Sequence, residues 1–102
     1  MSQAGYSIPQ KKIAIFASGA GSNAATIIAR FRHHPVIRVA LVACNKPDAG
    51  VVTVAGNDAI PVLPLQKEPF FNGDGYAKTL RDAGIDLIVL AGFLWKVPAF
   101  LV

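Results

Sequence analysis

The sequence predicts an α/β domain: a parallel, twisted sheet with βαβ crossovers. Three observations carry this. Short apolar runs recur at Ile13–Ala17, Val36–Ala43 and Asp86–Ala91. They lack polar–apolar alternation, which suits strands buried on both faces of a parallel sheet. Stretches with helical periodicity lie between them, and such alternation of strand and helix makes parallel sheets with right-handed crossovers.

The elements follow in order. Lys11 and Lys12 lead into the first strand, Ile13–Ala17, which Ser18-Gly19-Ala20-Gly21 breaks. A helix over Ser22–His33 places Ala24, Ile27, Ile28 and Phe31 on one face, and Pro35 ends it. The second strand, Val36–Ala43, runs into Cys44-Asn45-Lys46-Pro47-Asp48. Ala49–Asp58 is rich in valine and glycine, which are poor helix formers, but its place between two strands predicts a short crossover helix. Pro61–Leu65 is a weaker third strand whose prolines suit an edge. A helix over Asn72–Ala83 sets Tyr76 and Leu80 on one face, with Gly84 as its stop. Asp86–Ala91 is the fourth strand.

Composition bounds the class. Of 102 residues, 53% are hydrophobic and 16% charged, with a net charge of +4, which excludes intrinsic disorder. A single cysteine, Cys44, permits no internal disulfide and suits a reducing compartment. The most apolar stretch, Leu87–Val102, is interrupted by Lys96 and Pro98 and falls short of the roughly 20 apolar residues of a spanning helix. The first ten residues, MSQAGYSIPQ, lack the layout of a secretory signal. A cytoplasmic protein with no membrane partner is expected. Residues 1–10 read as a loose tail, and residues 11–102 as part of a larger domain. Val97–Val102 begins a helix and stops on apolar residues, and a fourth strand left at the sheet edge is an association hazard. The alternative is a small domain whose end docks a partner or a second copy through that edge.

Strand order 3-2-1-4 would put the ligand crevice between the loops after the first and fourth strands, Ser18–Asn23 and Gly92–Pro98. Gly21, Ser22 and Asn23 follow a strand and open a helix. Glycine lets a backbone approach an anion closely, and the first amides of a helix, at the positive end of its dipole, have no partners within it. Ser22 and Asn23 add side-chain donors. Together these make a phosphate cradle. Two other readings compete. Ser22 could merely cap the helix. Gly19-x-Gly21-x-x-Ala24 also fits a dinucleotide fingerprint, which wants an acidic residue ending the second strand, where Cys44-Asn45-Lys46 stands instead. His33, His34 and the nearby Arg30 and Arg32 fall at the opposite end of the sheet, with no metal-ligand spacing. No interleaving of basic and aromatic residues suggests a nucleic-acid partner.

Ser18-Gly-Ala-Gly-Ser-Asn23, Asn45-Lys46-Pro47-Asp48-Ala49 and Asp86-Leu-Ile-Val-Leu-Ala-Gly-Phe-Leu-Trp-Lys-Val97 together resemble the phosphoribosylglycinamide formyltransferase family. The resemblance implies transfer of a formyl group from 10-formyltetrahydrofolate to the amine of glycinamide ribonucleotide. It implies that Gly21, Ser22 and Asn23 bind the ribonucleotide phosphate. It gives Leu94, Trp95, Lys96 and Val97 to the folate site and puts Gly92 near the substrate glycine. Plain packing of Phe93-Leu94-Trp95 is the competing reading. Many relatives carry a basic residue at the position of Trp95, and some an arginine near Asn72-Gly73, so folate contacts would differ in detail. The family's catalytic Asn, His and Asp follow the segment ending at Val97, so the resemblance implies no catalytic residue within residues 1–102 and a chain inactive alone.

Overall fold

Strand β1 (Lys11–Ala17) is the pivot of the sheet. The structure, a computed structural model, describes residues 11–46, 48–72, 76–93 and 95. Strand β1 is followed by α1 (Ser22–Phe31), β2 (Ile37–Cys44), α2 (Gly50–Asn57), β3 (Val62–Pro64), α3 (Lys67–Asn72), α4 (Ala77–Asp82) and β4 (Ile85–Leu90). The strands pair in parallel in the order β3-β2-β1-β4, as the sequence predicts. Residues Ile13–Ala17 are all buried, because helices cover the sheet on both sides.

The pleat of β1 divides the core. Ile15 and Ala17 pack with Ala24 and Ile28 of α1 and with Val51 and Ala55 of α2. Ala14 and Phe16 face the other way, toward Leu65, Phe70 of α3 and Leu80 of α4. Each fully buried Ile, Val or Phe contributes about 1.5–3 kcal/mol of transfer free energy. One layer holds the first two crossover helices. The other holds the return crossover from β3 to β4, and this arrangement fixes the reversal of strand order between β1 and β4.

Several details differ from expectation. The helix predicted over Asn72–Ala83 is two elements, with Asn72 ending α3 and the second helix starting at Ala77. Tyr76, expected on the helix face, precedes it at φ +68°, and its hydroxyl accepts the Gln66 N–H at 3.0 Å. Helix α3 is not among the elements the sequence predicts; Pro69 sits in its first turn, where a missing N–H costs no helical bond. Strand β1 starts two residues earlier than the apolar run, because Lys11 and Lys12 pair with Ile37 and Arg38. Between β1 and β4 the register slips by one residue, leaving Asp86 without a partner strand position. Its carboxylate compensates by accepting the Lys12 N–H at 2.8 Å.

The two edges of the sheet differ. Pro64 closes β3 to further pairing. Strand β4 has no such block, and Leu87 and Leu90 on it are 60% and 55% exposed. The tail over residues 1–10 and the helix expected from Val97 lie outside the described residues.

Candidate functional site

The site is built on the carboxyl edge of the sheet, where β1 and β4 part. Gly21 is the N-cap of α1, at φ +92° and ψ 13°. A left-handed residue here turns the chain from strand into helix within Ser18–Gly21. The first helical bond runs from the Ala25 N–H to the Gly21 carbonyl at 2.7 Å. Ser22 is therefore not the cap but the first helical residue, and no side chain caps this helix. Ser22 and Asn23 are exposed, and the first turn carries no acidic residue to oppose an anion. The dipole contributes about 0.3–1 kcal/mol to an anion at such a terminus.

The loop after β4 lies against this one. The Ser18 N–H donates to the Gly92 carbonyl at 3.3 Å, just beyond the ladder bond from the Ala91 N–H to the Phe16 carbonyl at 2.9 Å. Gly92 then turns at φ +71°. Phe93 points back onto the sheet, edge-on to Phe16 at 5.3 Å and to Phe70 at 5.8 Å. Trp95 stacks at a tilt on Phe70 at 5.4 Å and is half-buried. The Ser18–Gly92 bond thus joins the loops that follow β1 and β4 at the carboxyl edge of the sheet. Trp95 and Phe93 do pack against the core, as the competing reading expected, and both are half-buried. Leu94, Lys96 and Val97 lie outside the described residues.

The remaining candidates have structural tasks. His34 Nδ1 accepts the N–H groups of Val36 at 3.0 Å and Ile37 at 2.9 Å, fixing the entry to β2. Arg32 forks onto Asp58, with Nε and Nη2 2.8–3.0 Å from its oxygens. Together with Arg38 and Ile60 these residues line a cleft of about 350 Å³ at the amino ends of the strands, the wrong end for the loop amides. Cys44 is buried, and its thiol donates to the Lys46 carbonyl at 3.1 Å. Asp86 is held at the amino end by its bond to Lys12.

Two participants escaped the sequence reading. Phe70, on the unpredicted α3, is the fully buried ring on which Trp95 rests. Gly50, at the start of α2, abuts Ala20. The only sequence signal for Gly50 was a glycine opening an otherwise β-branched helix.

A doubly covered parallel sheet with a glycine-rich strand–helix turn at its switch point defines an anion-binding α/β domain. Residues 11–102 match the family described as formyl transferase, and the chain belongs to that family. It is 36% identical over 99 residues to the chloroplastic phosphoribosylglycinamide formyltransferase of Arabidopsis thaliana, a match covering 91% of this chain and 34% of that protein. It is 34% identical over 89 residues to the Bacillus subtilis phosphoribosylglycinamide formyltransferase, covering 82% of this chain and 46% of that one. Among solved structures, glycinamide ribonucleotide transformylase 1 of Geobacillus kaustophilus superposes with a TM-score of 0.75 at 31% identity, over 90% of this chain and 52% of that one. The phosphoribosylglycinamide formyltransferase of Campylobacter jejuni gives a TM-score of 0.80 at 22% identity over 92% and 54% of the two chains, a likeness of fold. The chain thus spans between a third and about half of the length of these relatives. Among the described residues no helix is long and apolar enough to cross a membrane.

Proposed function

We propose that this chain carries the ligand-holding part of a phosphoribosylglycinamide formyltransferase, which moves a formyl group from 10-formyltetrahydrofolate to the amine of glycinamide ribonucleotide. Gly21, Ser22 and Asn23 hold the ribonucleotide phosphate through backbone amides and two short polar side chains. Gly92, Leu94, Trp95, Lys96 and Val97 form the folate side. The open backbone at Gly92 and the half-buried Phe93 and Trp95 suit a flat heteroaromatic ring, with the rest of that wall drawn from the family resemblance. The observation that carries the reading is the Ser18–Gly92 hydrogen bond, which holds the two loops side by side.

The chemistry explains why binding and turnover separate. Attack of an amine on a formyl carbon builds an oxyanion, and loss of one donor to such a charge costs about 2.7–4 kcal/mol. Proton transfer from the amine to the leaving nitrogen by a placed group is worth roughly 10²- to 10⁴-fold. The family's Asn, His and Asp for these steps have no counterpart in residues 1–102. His33, His34 and Asp86 stand at the other end of the strands and cannot replace them.

The chain therefore binds glycinamide ribonucleotide without turning it over. Residues 11–102 act as the amino-terminal part of the domain, working in the cytoplasm, and the open β4 edge takes up the rest of the fold or a second copy. Titration calorimetry with glycinamide ribonucleotide and with NAD, beside a formyl-transfer assay, tests this. Binding of the ribonucleotide, none of NAD and no turnover are expected. Turnover by the 102-residue chain would overturn the division of labour. Binding of NAD alone would overturn the substrate.

A further inference from the structure

The phosphate loop does not stand free; the first turn of α2 supports it from behind. A Cβ built on Gly50 would lie 2.6 Å from the Ala20 carbonyl oxygen and 3.1 Å from its Cα. A Cβ built on Gly21 would lie 2.7 Å from the Val51 Cα. The two backbones therefore touch, each glycine making room for the other strand of the contact. The Val51 N–H donates to the Gly19 carbonyl at 3.2 Å, and Val51 is fully buried. One backbone hydrogen bond and two close approaches thus tie Gly19, Ala20 and Gly21 to residues 50 and 51. The carbonyl groups of Gly19 and Ala20 thus face the first turn of α2.

We propose that Gly50 is a positioning residue for the anion site: by letting α2 lie against the Ala20 carbonyl, it fixes the orientation in which Ser22 and Asn23 present their amides. This rests on the reading of Gly21–Asn23 as the phosphate cradle. The atoms opposing a side chain at position 50 are backbone, so relief requires the loop itself to move. Amide donors aimed at an anion lose strength steeply with misalignment, because a hydrogen bond weakens sharply below about 120° at the hydrogen. A displacement small enough to leave the sheet intact is therefore large enough to weaken binding.

Gly56 supplies the control. It lies in the same helix, and a Cβ there would meet nothing within 4 Å among the described residues. Both Gly50→Ala and Gly56→Ala improve helix propensity, so only steric pressure on the loop separates them. The test is a 31P titration of the 102-residue chain with ribose 5-phosphate and with inorganic phosphate. Gly50→Ala is expected to weaken ribose 5-phosphate at least 10-fold, with Gly56→Ala within 2-fold of the parent. Equal affinity of parent and Gly50→Ala would overturn the positioning role and leave the cradle standing. Failure of the parent to respond to either probe would overturn the cradle, and with it the role of Gly50. Hydrogen exchange on the parent keeps the proposal testable if Gly50→Ala does not fold. The Val51 amide is expected to exchange at least 5-fold more slowly with ribose 5-phosphate bound, and an unchanged rate would overturn the coupling.

Discussion

Replacing Gly21 by alanine isolates the strain that builds the site. At φ +92° an L-residue costs about 1–2 kcal/mol over glycine. The new methyl would meet the Val51 Cα at 2.7 Å, its Cβ at 3.0 Å and its N at 3.1 Å. Backbone shifts that relieve such overpacking cost about 1–3 kcal/mol. Reduced freedom of the unfolded chain returns about 0.4–1 kcal/mol. The net loss is about 3 kcal/mol, which at about 4–8 °C per kcal/mol lowers Tm by about 12–24 °C.

Two companion substitutions separate the contributions. Gly92→Ala meets the same left-handed requirement at φ +71°, but no described atom lies within 4 Å of its methyl. It should lose about 1 kcal/mol, or about 4–8 °C. Gly19→Ala has neither a positive φ nor a neighbour within 4 Å, and its Tm should stay level or rise slightly. Scanning calorimetry on the three variants at one protein concentration is the assay. The reasoning fails if Gly21→Ala and Gly92→Ala melt within about 3 °C of each other, since the contact with Val51 would then carry no cost.

Other outcomes follow from particular contacts. Phe70→Ala removes a fully buried ring that touches Phe16, Phe93 and Trp95; it should cost about 3–5 kcal/mol and abolish the near-ultraviolet circular dichroism of Trp95. Asp58→Asn breaks the fork from Arg32, whose side chains are 49% and 20% exposed, so a loss of about 0.5–1 kcal/mol is expected in urea denaturation, shrinking as salt is added. Leu87→Lys charges an exposed position on the open edge; stability should change by less than about 0.5 kcal/mol, while sedimentation velocity should show weaker self-association. Self-association that persists with both Leu87 and Leu90 changed to lysine would clear the β4 edge of that role.

The parts of the fold that were legible share one property: their signal is local. The unalternating Ile13–Ala17 announced a strand covered on both sides, and Pro61 with Pro64 announced an edge. Gly21 was legible as a glycine between a strand and a helix, although its left-handed φ of +92° was not. What escaped depends on distant partners. The Asp86 slip exists because a carboxylate can replace a ladder acceptor for Lys12, 74 residues away in sequence. The break between α3 and α4 was hidden because Tyr76 and Leu80 keep helical spacing although Tyr76 lies outside the helix. The competing reading of Ser22 as a cap fails because Gly21 takes that position, and the serine stands in the first turn. Gly50 opened a helix of poor propensity, and no pattern says that its missing side chain accommodates Ala20.

The rim combines glycines with unlike duties, and this decides where the site is fragile. Gly21 supplies a conformation, and Gly50 supplies a close approach. Both act on backbone, and the donors of the proposed phosphate cradle are also mainly backbone. A site made this way is set by sterics rather than by the identity of exposed side chains. In the proposed cradle Ser22 and Asn23 are exposed, so water competes for their side-chain donors. In the positioning role proposed for it, Gly50 touches no ligand but acts on the loop backbone through Ala20. The sharpest losses of phosphate affinity should therefore come from positions whose substitution adds a methyl group behind the loop, and milder ones from removing a hydroxyl or amide in front of it. Proton transfer has the opposite dependence, since it needs a titratable side chain at a fixed place. On the proposed reading, a segment of sheet and loops holds the phosphate while proton transfer falls to residues outside it.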